Sequence, residues 1–178
     1  MKYILLLTDF SKHSIHAITY AHQLFKHEPC SFKLLYTQDL KALIGDDFRS
    51  KTNSKTSLNR LNALVSNFKA GFKNSDFSYE TIVSHRELIE SVTKIIKTDT
   101  IDLIVMGSNG ATGANKVIFG SNTINVIRKV SCPTLVIPEN FYYEPPKNIL
   151  LPLDLHDTLS GTAFVKLMTF IDNLKFKT

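Results

Sequence analysis

The segment "IDLIVMGSNGATGANKVIFGSNTINVIRKV", residues 101–130, decides the fold. It begins with a nearly continuous apolar run, Ile101 to Met106, which is typical of a strand buried on both faces of a parallel sheet. A polar stretch with three glycines follows, and then Ile124, Ile127 and Val130 recur at the spacing of one helix face. The order of strand, glycine loop and helix predicts one unit of an open α/β sheet.

The same alternation runs through the rest of the chain. The predicted strands are Tyr3 to Thr8, Phe32 to Thr37, Ser78 to Val83, Ile101 to Met106 and Thr134 to Ile137. Between them, apolar side chains recur with helical spacing over 17–25, 58–68, 88–96 and 124–130. Because each parallel return needs a crossover, we predict a three-layer α/β/α fold with a five-stranded parallel sheet. The longest connection is a polar loop from Gln38 to Lys55.

Composition limits the class of protein. The chain has 178 residues, 43% of them hydrophobic and 21% charged, which is ordinary for a soluble globular domain. Thr8 and Asp9 interrupt the first apolar run before a signal-peptide core develops, and no later run approaches the roughly 20 apolar residues that span a bilayer. We therefore expect a cytoplasmic protein without a membrane partner. The net charge is +5, but lysines alternate with acids, so we expect a solvated surface and no nucleic-acid partner.

The cysteines and histidines suggest no catalytic or metal centre. Cys30 and Cys132 lie far apart without a CxxC motif, so buried, reduced thiols are expected. His13 and His16 share a helix face and suggest a metal pair, but no third ligand is near in sequence, and a surface pair is favoured. His85 follows the third strand as a candidate base, yet no nucleophile is identifiable beside it.

The glycines of the opening segment are candidates for phosphate binding. Gly107, Gly110 and Gly120 let the backbone approach a ligand closely, and Ser121 follows at the start of the predicted helix. The Ser121 hydroxyl and the free amides of the first helical turn would form an anion site, aided by the helix dipole. The alternative is that the glycines only turn the chain and that Ser121 only caps the helix. The pattern is neither GxxxxGK[ST] nor GxGxxG.

The spacing resembles the nucleotide-binding signature of the universal stress protein family, which is GxxG, nine residues, then G and S or T. Gly107, Gly110, Gly120 and Ser121 satisfy every position. The resemblance extends to "LLLTDFSKHSIHAITYA", "LLYT" and "CPTLVIP", and so covers about residues 1–138. It implies a flavodoxin-related domain of the adenine nucleotide-binding type, usually a homodimer, which in many members binds ATP, with or without Mg²⁺, and in others does not.

The resemblance also implies the site residues. Asp9 would meet the ribose, the backbone near Thr37 the adenine, and Gly107 the ribose, while Gly110, Gly120, Ser121 and Asn122 would hold the phosphates. Thr8 and Met106 end the two central strands beside them, and Thr8 stands where the family often has proline or valine. Asp9 has an alternative role in capping the next helix. Lys116, in the spacer, is left out of the predicted site because such a lysine is usually solvated.

A weaker repeat appears near the end of the chain. "KYILLLTDF", from Lys2, and "KNILLPLDL", from Lys147, share Lys, Ile, Leu, Leu and Asp at equal offsets, and both precede a helical pattern. The sequence therefore predicts a domain over 1–138, a linker over 139–146, and a partial second repeat of one strand and one helix over 147–178. Since that piece cannot bury its apolar surface alone, we expect it to pack on the first domain or on a partner chain.

Two functions compete at this point. The first is an adenine-nucleotide-binding regulatory protein of the stress response, with no enzymatic activity beyond slow ATP hydrolysis, since no catalytic constellation is visible. The second is a dimerisation or interaction module of the same fold that binds no nucleotide. A phospho-receiver domain using Asp9 is disfavoured, because such a domain needs an aspartate after its third strand and "ETIVSH" contains none.

Overall fold

The computed structural model describes residues 1–38, 47–108, 119–150 and 161–173, without the side chains of 47–53, 162, 163, 166, 170 and 173. Strands and helices alternate along the chain as predicted. The elements are β1 (Lys2–Leu7), α1 (Lys12–Leu24), β2 (Cys30–Thr37), α2 (Asp47–Gly71), β3 (Phe77–Ser84), α3 (Leu88–Thr98), β4 (Leu103–Gly107), α4 (Ser121–Lys129), β5 (Thr134–Ile137) and α5 (Thr162–Asn173).

The sheet has five parallel strands in the order β3-β2-β1-β4-β5, which confirms the predicted fold class. Ile4 of β1 lies between Phe32 of β2 and Leu103 of β4. The chain moves outward from β1 to β3 and then returns to place β4 on the other side of β1. The strand order therefore reverses between β1 and β4, and ligands of open α/β sheets bind at the carboxyl ends of strands at such a point.

The two faces of β1 divide the core into two layers. Ile4 and Leu6 are fully buried with side chains from α1 and α2. Leu5 and Leu7 point to the opposite face and pack with side chains from α3 and α4. Successive side chains of a strand alternate between faces, so the continuous apolar run in β1 covers both layers at once. This packing fixes the carboxyl ends of β1 and β4 side by side.

The prediction of a loop from Gln38 to Lys55 was wrong in its second half. Helix α2 begins at Asp47, and residues 39–46 lie outside the described part of the chain. The segment 47–55 contains neither glycine nor proline, so nothing in it prevents a helix. Apart from Phe48 its residues are all polar, so apolar periodicity could not detect the helix. The buried stripe begins only further along, with Leu61, Val65 and Phe68.

The residues after β5 return over α1. The ring of Tyr143 lies 5.2 Å from that of Tyr20, and the carbonyl of Phe141 lies 2.9 Å from Nε2 of His16. We call residues 139–143 the return segment. It forms the first part of the predicted linker, and the division of the chain into domains stays a prediction.

The C-terminal piece contains the expected helix, whereas only the first residues of the expected strand are described. Helix α5 is present, but residues 147–150 form no strand, with Leu150 90% exposed, and residues 151–160 lie outside the described part. Val165 and Thr169 of α5 help to line a cavity of about 780 Å³ at the amino ends of β1 and β4. Among the described helices, none is both long and apolar enough to cross a membrane.

Cys30 and Cys132 are free thiols, as expected, although only Cys30 is fully buried and Cys132 is half-buried. Burial raises the pKa of Cys30 to about 12.

A histidine occupies the centre of the α1–α2 layer. His22 is fully buried, and its ring stacks on Phe68 at 4.3 Å and Phe32 at 4.5 Å. Its Nδ1 lies 2.7 Å from the Ile18 carbonyl and must therefore carry the proton, so Nε2 accepts from the Tyr79 hydroxyl at 2.9 Å. Both ring nitrogens are satisfied by a neutral imidazole. Burial lowers the pKa of His22 from 6.5 to about 4, which means that the fold excludes its charged form.

We expect His22 to make the protein sensitive to acid. Below pH 6.5 the unfolded chain binds a proton that the folded chain refuses until about pH 4, so stability falls as the pH falls through this window. Between pH 7 and pH 5 the loss from this residue should be about 2 kcal/mol. Urea unfolding at both pH values should show that His22→Gln, though less stable at pH 7, loses about 2 kcal/mol less on acidification.

His27 provides the matched control, because it is an exposed histidine on the connection after α1. His27→Gln, measured in the same way, shows what the loss of an exposed histidine does to the comparison. If the wild type and His22→Gln lost the same free energy of unfolding between pH 7 and pH 5, the neutral, buried state of His22 would be contradicted.

Candidate functional site

The turn from β1 to α1 is held by a network of hydroxyl groups. The Thr8 and Ser14 hydroxyls lie 3.0 Å apart, and Thr8 Oγ1 also accepts a hydrogen bond from the Phe10 amide at 3.0 Å. Ser11 caps α1, since its Oγ accepts the Ser14 amide at 3.2 Å. The spacing "SKHS" before an apolar helical pattern is a cap signal that the sequence prediction did not use. The hydroxyl of Thr8 therefore helps to hold the turn together.

Phe10 shows that this turn is also strained. Its φ of 63° lies in the left-handed region, which costs a bulky residue about 1–2 kcal/mol. The ring is held by Tyr36, with centroids 4.7 Å apart, and by the Arg60 guanidinium, 4.0 Å from its centroid. Because these contacts hold the ring in place, the backbone on either side of it, including Asp9, has a defined direction.

Asp9 supplies a carboxylate at the end of β1. Its Oδ1 accepts the Ser11 amide at 2.9 Å, and the side chain is exposed. Burial of part of the group would raise the pKa of Asp9, but hydrogen bonds from Ser11 and Ser14 outweigh it and lower that pKa below its ordinary value. Asp9 is therefore ionised at neutral pH and can accept hydrogen bonds from hydroxyl groups of a ligand. It also supports the turn before the cap, so both predicted roles are compatible.

Gly107, at the end of β4, is needed because the β4 backbone approaches α1 closely. A Cβ atom at this position would lie 3.0 Å from the carbonyl oxygen of His13 and 3.2 Å from its carbonyl carbon. The carbonyl of Gly107 accepts a hydrogen bond from the buried Thr123 hydroxyl at 3.3 Å. Gly107 thus brings the starts of α1 and α4 together around the end of one strand.

Helix α4 begins at Ser121, but Ser121 is not its cap. Gly120 occupies the cap position with φ −66° and ψ 161°, and no described side chain caps the helix there. The Ile124 amide bonds to the Gly120 carbonyl at 3.0 Å, which is the first turn of the helix. The amides of Ser121, Asn122 and Thr123 precede that bond and have no intrahelical acceptor. Ser121 is therefore the first residue of the helix and not its cap, whereas the question whether the glycines bind a phosphate or only turn the chain stays open.

The structure brings most of the predicted site together in one cleft between β1 and β4, of about 80 Å³. Its predicted members are Thr8, Asp9, Thr37, Met106, Gly107 and Asn122. Gly120 and Ser121 directly precede Asn122 in the chain, whereas Gly110 and Lys116 lie outside the described residues. Six further lining residues were missed, namely Leu7, Ser11, His13, Ser14, Leu88 and Thr123.

The cavity of about 780 Å³ beside α5 is larger, but it lies at the opposite end of the strands. We place the candidate site in the smaller cleft because it lies where the strand order reverses and is lined by Gly107, the first glycine of the motif.

His85 has a neighbour that the sequence did not reveal. Its Nε2 lies 3.0 Å from the Ser54 hydroxyl of α2, in the stretch that was predicted to be a loop. Neither residue lines the cleft. The pair therefore adds no nucleophile to the candidate site.

Comparison with known proteins identifies the family. The model of the "Universal stress protein family" matches residues 1–138, well over half of the chain. The chain therefore belongs to the universal stress protein family.

Two curated relatives are similar over shorter stretches. Universal stress protein MJ0577 of Methanocaldococcus jannaschii is 29% identical over 92 residues, which are 52% of this chain and 56% of that protein. Universal stress protein Slr1230 of Synechocystis sp. is 37% identical over 67 residues, which are 38% of this chain and 22% of that protein. The aligned stretches thus span about half and about a fifth of these relatives.

Solved structures agree with the fold. The structure of MJ0577 superposes with a TM-score of 0.64 and 27% identity, covering 79% of this chain and 98% of that chain. A universal stress protein family protein from Arabidopsis thaliana superposes with a TM-score of 0.56 over 79% of this chain and 94% of that chain. Its identity of 15% makes this a likeness of fold alone.

Proposed function

We propose that this protein binds ATP or another adenine nucleotide in the β1–β4 cleft and acts as a regulator in a stress response. One observation carries the proposal: the amides that begin α4, which have no acceptor within the helix, and the ionised carboxylate of Asp9 flank the same cleft at the point of strand reversal. Amides at a helix start suit phosphate, and a carboxylate suits the hydroxyls of a ribose. Few other ligand classes present both groups.

The residues present fit such a ligand. The amides of Ser121 and Asn122 would hold phosphate oxygens, with Gly110 and Gly120 giving close approach. Asp9 would accept from the ribose beside Gly107. Thr37 at the end of β2 and Met106 at the end of β4 would border the base, together with Leu88 from the start of α3, which supplies apolar surface. The Arabidopsis family member was solved with AMP bound, which supports an adenine nucleotide as the ligand to test first.

We further propose that the nucleotide is bound and not turned over at any appreciable rate. The hydroxyls of Thr8, Ser11 and Ser14, which line the cleft, hydrogen-bond to one another and to the backbone of the turn. A hydroxyl engaged in this way is not free to attack a phosphate group. Mg²⁺ would accompany ATP through its phosphate oxygens. Binding would then serve to change the associations of the protein in the cytoplasm.

Titration calorimetry with ATP and Mg²⁺ tests the proposal. We expect saturable binding with a Kd below about 1 mM, which corresponds to about −4 kcal/mol, and weaker binding of adenosine, which lacks the phosphates. A parallel titration with inorganic tripolyphosphate measures the affinity of the site for phosphate groups without the nucleoside, which the α4 amides would provide. If the protein, shown to be folded by circular dichroism, bound no adenine nucleotide up to millimolar concentration, the proposal would be refuted.

A homodimer that binds no nucleotide is the second candidate. β5 is an edge strand, and α4 beside it exposes Ile124 at 38% and Ile127 at 51%, with Phe119 at 45% just before the helix. Within the described part of the chain no strand pairs with the outer edge of β5, and such an edge next to apolar side chains supports association with a second copy. Mass spectrometry after gentle isolation distinguishes the candidates, since only the first predicts co-purified adenine nucleotide.

We also propose that residues 147–178 represent a partial second repeat of the domain. The shared residues of "KYILLLTDF" and "KNILLPLDL" and the presence of α5 after the second copy support this origin.

A further inference from the structure

His13 belongs both to the cleft and to the contact between α1 and the return segment. It lines the cleft together with Asp9, Gly107 and Asn122. Its Nδ1 also lies 3.5 Å from Oε1 of Glu139, the first residue of the return segment. The carbonyl of His13 abuts Gly107, so the backbone that carries this ring is fixed by the packing of β4.

The other described contacts of the return segment lie farther along α1. The carbonyl of Phe141 is 2.9 Å from His16 Nε2, and Tyr143 packs on Tyr20. Neither His16 nor Tyr20 lines the cleft. Among these described contacts, the pair of His13 and Glu139 is therefore the one that a ligand in the cleft can reach.

Charge decides which partner His13 takes. Two carboxylates face its surroundings, Asp9 from the β1–α1 turn and Glu139 from the return segment, while Lys12 and His16 are the charged or titratable neighbours on its own helix. A phosphate group in the cleft would compete with Glu139 for the His13 ring, and it would also repel the Glu139 carboxylate.

We propose that His13 contacts the phosphates of the bound nucleotide, and that this contact replaces Glu139 and loosens the return segment from α1. The inference rests on the proposed nucleotide function and adds a readout to it: occupancy of the cleft changes a surface segment on the outside of α1. His13 is thus a binding residue with a second, regulatory partner.

The first experiment measures affinity for ATP and adenosine at pH 6 and pH 8. We expect His13→Gln to weaken ATP binding up to about fivefold, because the lost contact to the phosphates is partly exposed to solvent. Adenosine affinity should not change. Dividing wild-type by variant affinities at each pH removes the effect of the titration of ATP itself.

His16→Gln is the matched control, since His16 contacts the return segment but does not line the cleft. It should bind ATP like the wild type at both pH values. Glu139→Gln removes the competing carboxylate and should bind ATP about two- to threefold more tightly.

Hydrogen exchange of residues 139–143 provides a second readout. Addition of ATP should speed exchange of this segment in the wild type but not in His13→Gln. Wild-type protein that binds ATP with the same affinity as His13→Gln at both pH values would overturn this inference alone. Protein that binds neither ATP nor adenosine would overturn it together with the proposed function.

Discussion

Replacement of Gly107 by valine should destabilise the protein by about 2–3 kcal/mol, because it forces a side chain into a packed backbone contact. The Cβ atom would lie 3.0 Å from the His13 carbonyl oxygen and 3.2 Å from its carbonyl carbon. Both atoms belong to the first turn of α1, which cannot yield without moving the cap at Ser11. Urea unfolding followed by circular dichroism measures the loss, and Gly107→Ala should show a smaller loss in the same direction.

Gly71 supplies a control for the general cost of losing a glycine. It lies at the end of α2, and a Cβ atom there would meet nothing within 4 Å. The free energy of unfolding of Gly71→Ala should equal that of the wild type within about 0.5 kcal/mol, or be slightly higher. A Gly107→Val variant as stable as the wild type would show that β4 and α1 do not approach each other in this way.

The close contact between the Gly107 backbone and α1 should also affect nucleotide binding. Since Gly107 joins the starts of α1 and α4, displacement of α1 moves His13 and Asp9 relative to Asn122. We therefore expect the folded fraction of Gly107→Ala to bind ATP more weakly than Gly71→Ala.

The central strands could be predicted from sequence because their signal is local. The apolar run of β1 covers both faces of the sheet, and residues 101–106 read in the same way, although β4 starts only at Leu103. The alternation of strands and helices then implies a parallel sheet. Because the glycine motif begins at the carboxyl end of β4, it must start at that edge of the sheet. Thr8, Asp9, Met106, Gly107 and Asn122 share the cleft for this reason.

What the sequence missed depends on contacts between distant residues. Glu139 follows β5, and only the folded sheet brings it to 3.5 Å from His13. Leu88 reaches the cleft from the far side because α3 crosses back over the sheet. The burial of His22 could not be read from its neighbours in sequence, since four of its ring contacts come from β2, α2 and β3.

The sequence also could not decide which of two neighbouring residues caps α4. Both Gly120 and Ser121 are acceptable caps, and serine is the commoner one. The structure places Gly120 at the cap and Ser121 inside the helix. This arrangement leaves the cap position without a side chain, so the cap residue itself does not stand between the first turn and an approaching anion.

Replacement of Gly120 by valine should therefore abolish nucleotide binding while the domain stays folded. The φ of −66° and ψ of 161° at this position are extended backbone that valine adopts readily, and the poorer cap should cost about 1 kcal/mol at most. Its branched side chain would stand beside the amides of Ser121 and Asn122, where the phosphates must approach. Loss of two or more charge-assisted hydrogen bonds weakens binding about 100-fold or more.

Titration calorimetry with ATP and Mg²⁺ on Gly120→Val, Gly120→Ala and the wild type forms a graded series, because alanine adds a single methyl group at the same point. We expect an intermediate affinity for Gly120→Ala and no measurable heat of binding for Gly120→Val. Circular dichroism and the urea midpoint, measured on the same samples, separate a blocked site from an unfolded one. Wild-type affinity in folded Gly120→Val would mean that the phosphates do not bind at the start of α4, and the ligand would then have to be held from the β1–α1 turn alone.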